Sequence, residues 1–143
     1  EMCIRDSSLG AAIGLLAALH FEKEIEGGVK HAYLYGLPRV GNLEFANSVD
    51  KHLKGKLLYT INGNDLISRV PPRSFGFQHP SGQIWIKHSN GNDWEFYPGQ
   101  ENVHGHLTVI PSPNTLANHV GVYYHTLLGW GPITCPATVN DQH

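Results

Sequence analysis

The sequence predicts an α/β fold whose sheet is mostly parallel and flanked by helices. Three observations carry the prediction. The front half alternates helix, strand, helix, strand, the pattern of crossover units in a parallel sheet. The first helical stretch is apolar on most sides at its start, which reads as burial against a sheet. β-Branched and aromatic residues gather in the short runs between the helical stretches.

Taken in order, residues 8 to about 25 read as a helix. Ser7 or Ser8 can cap it, because a hydroxyl there can accept from an unpaired first-turn N–H. Leu9, Ala12, Ile13, Leu16, Ala17 and Leu19 cover most of its early surface. Glu22, Lys23, Glu24 and Glu26 make its end polar, and Gly27-Gly28 stops it. The preceding EMCIRD reads as neither a strand nor a signal peptide. VKHAYLYG, residues 29–36, reads as a strand and residues 37–42 as a turn. Leu43, Phe45, Ala46, Val49 and Leu53 have helical spacing. KLLYTI, residues 56–61, is the next strand, followed by the loop Asn62-Gly63-Asn64-Asp65.

The back half changes character. Residues 76–79, 83–87 and 93–97 read as short extended pieces, with turns at Pro80-Ser81-Gly82 and Asn90-Gly91-Asn92. Residues 98–113 read as a long loop. Thr115 to Leu128 reads as a last helix capped by Asn114 or Thr115.

The totals narrow the function. A chain of 143 residues is one domain's worth, and 41% hydrophobic and 10% aromatic residues supply a core. With 15% charged residues and a net charge of −2, nothing electrostatic points to nucleic acid. No apolar run is long enough to span a bilayer. The cysteines, Cys3 and Cys135, allow one pairing.

In open α/β sheets reactive groups gather at the carboxyl ends of strands. Ser8 opens the first helix, Asp65 follows the strand KLLYTI, and His119 lies in ANHVGVYY. A serine hydroxyl needs a base to take its proton, histidine can do so near neutral pH, and a carboxylate holds the ring in the right tautomer. The Leu9 N–H, at a helix N-terminus, is a candidate oxyanion donor. The order Ser, Asp, His is that of nucleophile-elbow hydrolases.

Longer motifs surround these residues. Ser8-Leu9-Gly10-Ala11-Ala12 resembles the second half of GHSLGA in the class 3 (fungal-type) lipases. Residues 35–42, YGLPRVGN, match that family's YGxPRVGN. Residues 64–72, NDLISRVPP, resemble its NDxVxRxPP, where the aspartate is the acid of the triad. Phe77-Gln78-His79 and Ile84-Trp85-Ile86 are similar to the segment that follows. Asn118-His119-Val120-Gly121-Val122-Tyr123-Tyr124 resembles the stretch that holds the triad histidine.

The resemblance implies the C-terminal half of an α/β-hydrolase fold, beginning at the nucleophile elbow. It implies a secreted triacylglycerol lipase or related carboxylester hydrolase, with no metal or organic cofactor. Its substrate would be a lipid or ester at an oil–water interface. Ser8, His119 and Asp65 become the triad, and Leu9 one of two oxyanion donors; the other, with the lid, lies upstream of the nucleophile in the family. Leu66, Ile67 and Val70 would flank the acyl site. The elbow calls for glycine where this chain has Asp6, and EMCIRDS is similar to adapter-derived leaders. Residues 1–7 are therefore expected to be foreign to the family and residues 8–143 to be a partial lipase-like domain, inactive by itself.

Plainer readings stand beside these. Ser8 is a simple helix cap on local sequence alone, and Asp65 a turn residue. His125 and the pair His104 and His106 compete with His119. His104, His106 and Glu101 could bind a metal, but two histidines in a glycine-rich loop read first as solvated. His79 reads as structural, near the triad aspartate, and Arg39 as a buried ion-pair donor. Trp85, Trp94 and Trp130 could line an acyl groove, serve as core, or form a sugar-binding platform. A feruloyl or other short-substrate esterase is the alternative within the hydrolases.

Overall fold

The carboxyl ends of three neighbouring parallel strands bring Ser8, Gly36 and the Asn62–Asp65 turn to one edge of a single sheet. The computed structural model describes residues 2–88, 93–110, 115–124 and 126–127. Its main elements are β1 (Met2–Ser7), α1 (Ser8–Glu24), β2 (Val29–Tyr35), α2 (Leu43–Leu53), β3 (Leu57–Asn62), β4 (Gln83–Ile86), β5 (Trp94–Tyr97), α3 (Thr115–His119), β6 (Val122–Tyr123) and β7 (Thr126–Leu127). Strands β1 to β5 lie in that order. The first four are parallel and β5 runs against β4. Strands β6 and β7 pair with each other. The register sets Ser7 beside Tyr35 and Tyr35 beside Thr60.

Strand β3 is the central one, buried along nearly its whole length, as expected for a parallel strand covered on both faces. Ala11, Gly14, Leu15, Ala18 and Leu19 of α1 are buried at helical spacing, and all but Gly14 pack in one core with Ala32, Leu34, Tyr59 and Ile61. Helix α2 buries Ala46, Val49 and Leu53, and the Asn42 side chain caps it by accepting from the Phe45 N–H at 3.0 Å.

The α/β class and most element positions agree with the sequence reading. Four points differ. Met2–Ser7 does form a strand: β1 gains backbone bonds from β2 that depend little on its side chains, which is why composition missed it. Helix α1 is buried on one face only; Leu9, Ile13 and Leu16 are 71%, 59% and 50% exposed. No hydroxyl caps it, since the Ser7 side chain makes no capping bond and the Ser8 hydroxyl is engaged elsewhere.

The last helix stops at His119, because the Asn118 carbonyl is taken by Asn62 Nδ2 at 2.9 Å and Gly121 turns the chain into β6. The Asn90-Gly91-Asn92 turn, Asn114, His125, Leu128, Trp130 and Cys135 lie outside the described residues. Among the described residues, no helix is long and apolar enough to cross a membrane.

Candidate active site

Ser8 sits at the turn between β1 and α1 with φ +55°, in the left-handed region. For a residue with a Cβ this backbone costs about 1–3 kcal/mol, and such strain collects at functional turns. It throws the side chain out of the sheet at the strand's end, as a nucleophile elbow does. Asp6 is accommodated locally. Its carboxylate accepts from the Ser7 N–H at 2.8 Å and fills the space beside Gly10, where any Cβ would collide with it.

Asp65 is fully buried just past β3. Its Oδ1 accepts from the Ile67 N–H at 2.8 Å. Its Oδ2 accepts from the Ser68 hydroxyl at 3.1 Å and from His119 Nδ1 at 2.8 Å. His119 Nε2 lies 2.7 Å from Ser8 Oγ. An ionised carboxylate only accepts, so His119 carries its proton on Nδ1, and the bare Nε2 faces the serine hydroxyl. Three residues spread over the chain thus share one hydrogen-bonded line. The Leu9 N–H belongs to the first turn of α1, where amides have no partner within the helix.

His119 arrives on a short segment tied down by side chains. Asn62 holds the Asn118 carbonyl, and the Tyr124 hydroxyl meets Thr60 Oγ1 at 3.0 Å. Burial, reinforced by the charge on Asp65, pushes the Tyr123 phenol far up, so it stays protonated.

Behind Asp65 lies a buried polar cluster. Arg39 forms a two-point pair with Glu101 and donates to the carbonyls of Arg69 and Pro71. Glu101 also accepts from the His79 N–H at 2.7 Å, and His79 Nε2 donates to the Ser68 carbonyl at 2.8 Å. Burial raises the Glu101 carboxyl, but the bonds from Arg39 and the His79 backbone and the charge attraction more than offset it, leaving it below the usual range. Burial lowers His79 to about 4, partly opposed by Glu101, and lowers His106 to about 2. Both rings are neutral at pH 7.

The structure therefore brings Ser8, His119 and Asp65 together, with Leu9 beside them. Arg39 is the buried ion-pair donor expected, and His79 reaches Asp65 through Ser68. Leu66 and Val70 stand partly exposed next to Asp65. His106 is a correction: it is buried, not solvated, while His104 is exposed. Among the described residues, no group of three His, Cys, Asp or Glu side chains could hold a metal ion. A three-tryptophan platform is also corrected, since Trp85 is buried with its indole N–H on the Gly63 carbonyl. Sequence reasoning missed Ser68, whose serine in NDLIS carried no signal apart from its spacing to Asp65, and the pairing of Glu101 with Arg39.

Comparison with known proteins agrees. The model of the lipase (class 3) family matches residues 6–75. A secreted mono- and diacylglycerol lipase of Malassezia restricta is 52% identical over 138 residues, covering 94% of this chain and 42% of the relative. The structure of lipase II from Rhizopus niveus superposes with a TM-score of 0.75 at 29% identity, covering 89% of this chain and 48% of that one. A triacylglycerol lipase described as having a serine protease triad as its catalytic centre gives a TM-score of 0.76 at 30% identity, with the same coverage. The chain thus spans less than half the length of these relatives. With a mostly parallel sheet that superposes on these α/β-hydrolases, and an elbow serine in line with histidine and aspartate, the chain matches the class 3 lipase family in sequence and in fold.

Proposed function

We propose that the protein is a secreted serine carboxylester hydrolase acting on acylglycerols, with Ser8 as nucleophile, His119 as base and Asp65 as the orienting acid. The observation that supports it most directly is the line of short bonds from Ser8 through His119 to Asp65. The more identical relatives are named secreted mono- and diacylglycerol lipases, which favours partial glycerides as substrates and an extracellular location.

The chemistry follows from the geometry. Ser8 gives its proton to His119 Nε2 as Oγ bonds to the ester carbonyl carbon. The Leu9 N–H faces the oxyanion that forms. His119 passes the proton to the departing alkoxide, which leaves as the glycerol alcohol. Water then gives a proton to the same nitrogen and attacks the acyl-serine. The acid departs, and Ser8 regains its proton. Asp65 holds the imidazolium formed in each half. Loss of one oxyanion donor costs about 10²–10³ in rate, which is the scale of the part given to the Leu9 N–H.

The test is covalent capture. The purified chain is incubated with a p-nitrophenyl alkylphosphonate and its intact mass measured. An adduct on Ser8, absent from Ser8→Ala and His119→Ala, supports the reading. A chain that never reacts, or a His119→Ala variant that reacts equally fast, overturns it. Rates on diacylglycerol, triacylglycerol and methyl ferulate then decide the substrate class. Turnover of ferulate alone would mean a short-substrate esterase.

A further inference from the structure

We propose that Gly36 is the positioning residue that seats the His119 ring between Ser8 and Asp65, the space of its absent side chain being the space the imidazole occupies. Gly36 follows the last residue of β2. Its N–H donates to the Thr60 carbonyl at 2.8 Å, so its backbone is anchored to the neighbouring strand. A Cβ at this position would lie 2.8 Å from His119 Cε1, 2.9 Å from His119 Nδ1 and 3.1 Å from the Tyr123 hydroxyl. The first two distances are shorter than real Cβ contacts allow.

The ring cannot yield without leaving its line. Nδ1 is bound to Asp65 and Nε2 to Ser8, and the atom most crowded, Cε1, lies between them. Rotation or translation that cleared a methyl group would stretch at least one of the two bonds. Retreat of the backbone is opposed by Asn62 on the Asn118 carbonyl and by Tyr123, packed edge-on to Tyr35 at 5.8 Å. A methyl at residue 36 therefore acts on the base's position through direct contact.

Gly36 also has φ +58°, so any side chain there strains the backbone as well. The two effects are separable within this chain. Gly55 has φ +75° and open space where its Cβ would stand. Gly55→Ala meets the backbone cost without touching a ring. Gly36→Asn meets the ring with a residue that tolerates positive φ.

The experiment compares wild type, Gly36→Ala, Gly36→Asn and Gly55→Ala. Two quantities are read: the far-downfield proton resonance of an imidazole N–H held by a carboxylate, and the rate of Ser8 phosphonylation. The rate rests on the serine chemistry proposed above; the resonance does not. Gly55→Ala should lose thermal stability by the backbone cost alone, and Gly36→Ala at least as much. Both Gly36 variants should lose or shift the resonance and react about 100-fold more slowly, the scale of a misplacement near 1 Å. Gly55→Ala should keep the wild-type signal and rate.

If Gly36→Ala does not fold, Gly36→Asn carries the comparison. Gly36 variants that keep the signal and rate of Gly55→Ala overturn the inference, as does a wild type without the resonance. A wild type that shows the resonance, loses it only in the Gly36 variants, yet never reacts with phosphonate would uphold the positioning role and overturn the proposed function.

Discussion

Arg39 and Glu101, 62 residues apart in sequence, meet through two parallel bonds, Nε to Oε1 at 2.5 Å and Nη2 to Oε2 at 3.1 Å, with both side chains 3% exposed. The planar guanidinium fork matches the carboxylate, and each group compensates the other's burial. Removing one partner strands the other's charge, at about 3–5 kcal/mol. Arg39→Met and Glu101→Gln should each lose that much in urea unfolding. The double variant Arg39→Met/Glu101→Gln should lose clearly less than the sum. Additive losses would show that the two are not coupled.

Asp65 takes the Ser68 hydroxyl on the same oxygen that holds His119. A hydrogen bond of this kind contributes about 0.5–1.5 kcal/mol, up to roughly tenfold in rate if the carboxylate must stay in place. Ser68→Ala should slow phosphonylation of Ser8 by up to that factor. Asp65→Asn should slow it by about 10⁴, because an amide N–H facing Nδ1 favours the wrong tautomer. Equal rates in Asp65→Asn and wild type would remove Asp65 from the proposed machinery.

Asp6 and Gly10 are matched to each other. Gly10→Ala adds a methyl into the Asp6 carboxylate and should cost about 1–3 kcal/mol by overpacking. Asp6→Gly/Gly10→Ala removes the obstacle and keeps alanine's helix advantage of about 1 kcal/mol. Thermal melts should place the double variant above Gly10→Ala. A double variant lower than both singles would refute the match.

The buried histidines set an acid limit on the fold. In the unfolded chain they bind protons below about 6.5. In the folded chain His79 resists until about 4 and His106 until about 2. The unfolded state therefore binds more protons in that window, and stability falls as pH falls from about 6.5 toward 4. Each ring contributes up to about 1.4 kcal/mol per pH unit. His106→Leu should show a smaller drop in Tm between pH 7 and pH 4.5 than wild type. An equally steep drop would mean that His106 is not held neutral.

Much of this architecture was legible in the residues themselves. Helix α2 matches its spacing end to end, because apolar periodicity and the Asn42 cap agree. Asp65 and His119 were found through the motifs around them, each of which needs several residue types in order. Strand β1 was not legible, since a parallel ladder is made by backbone groups and its side chains are mostly exposed. The end of α3 was hidden because its stop signal, Asn62, lies far away in sequence. His106 looked solvated for the same reason: its cover comes from distant segments.

Ser8 and Asp65 are borne at the ends of strands in a shared ladder, while His119 sits on a five-residue helix fastened by a few side-chain bonds. Segments with few buried contacts open at lower free energy than the sheet they rest on. Chemical competence and foldedness therefore part company in this molecule. As denaturant rises, the serine should fall silent while the circular dichroism of the sheet and long helices still reads native. An assay of reactivity would report the dismantling of a clasp, well before the collapse of the frame.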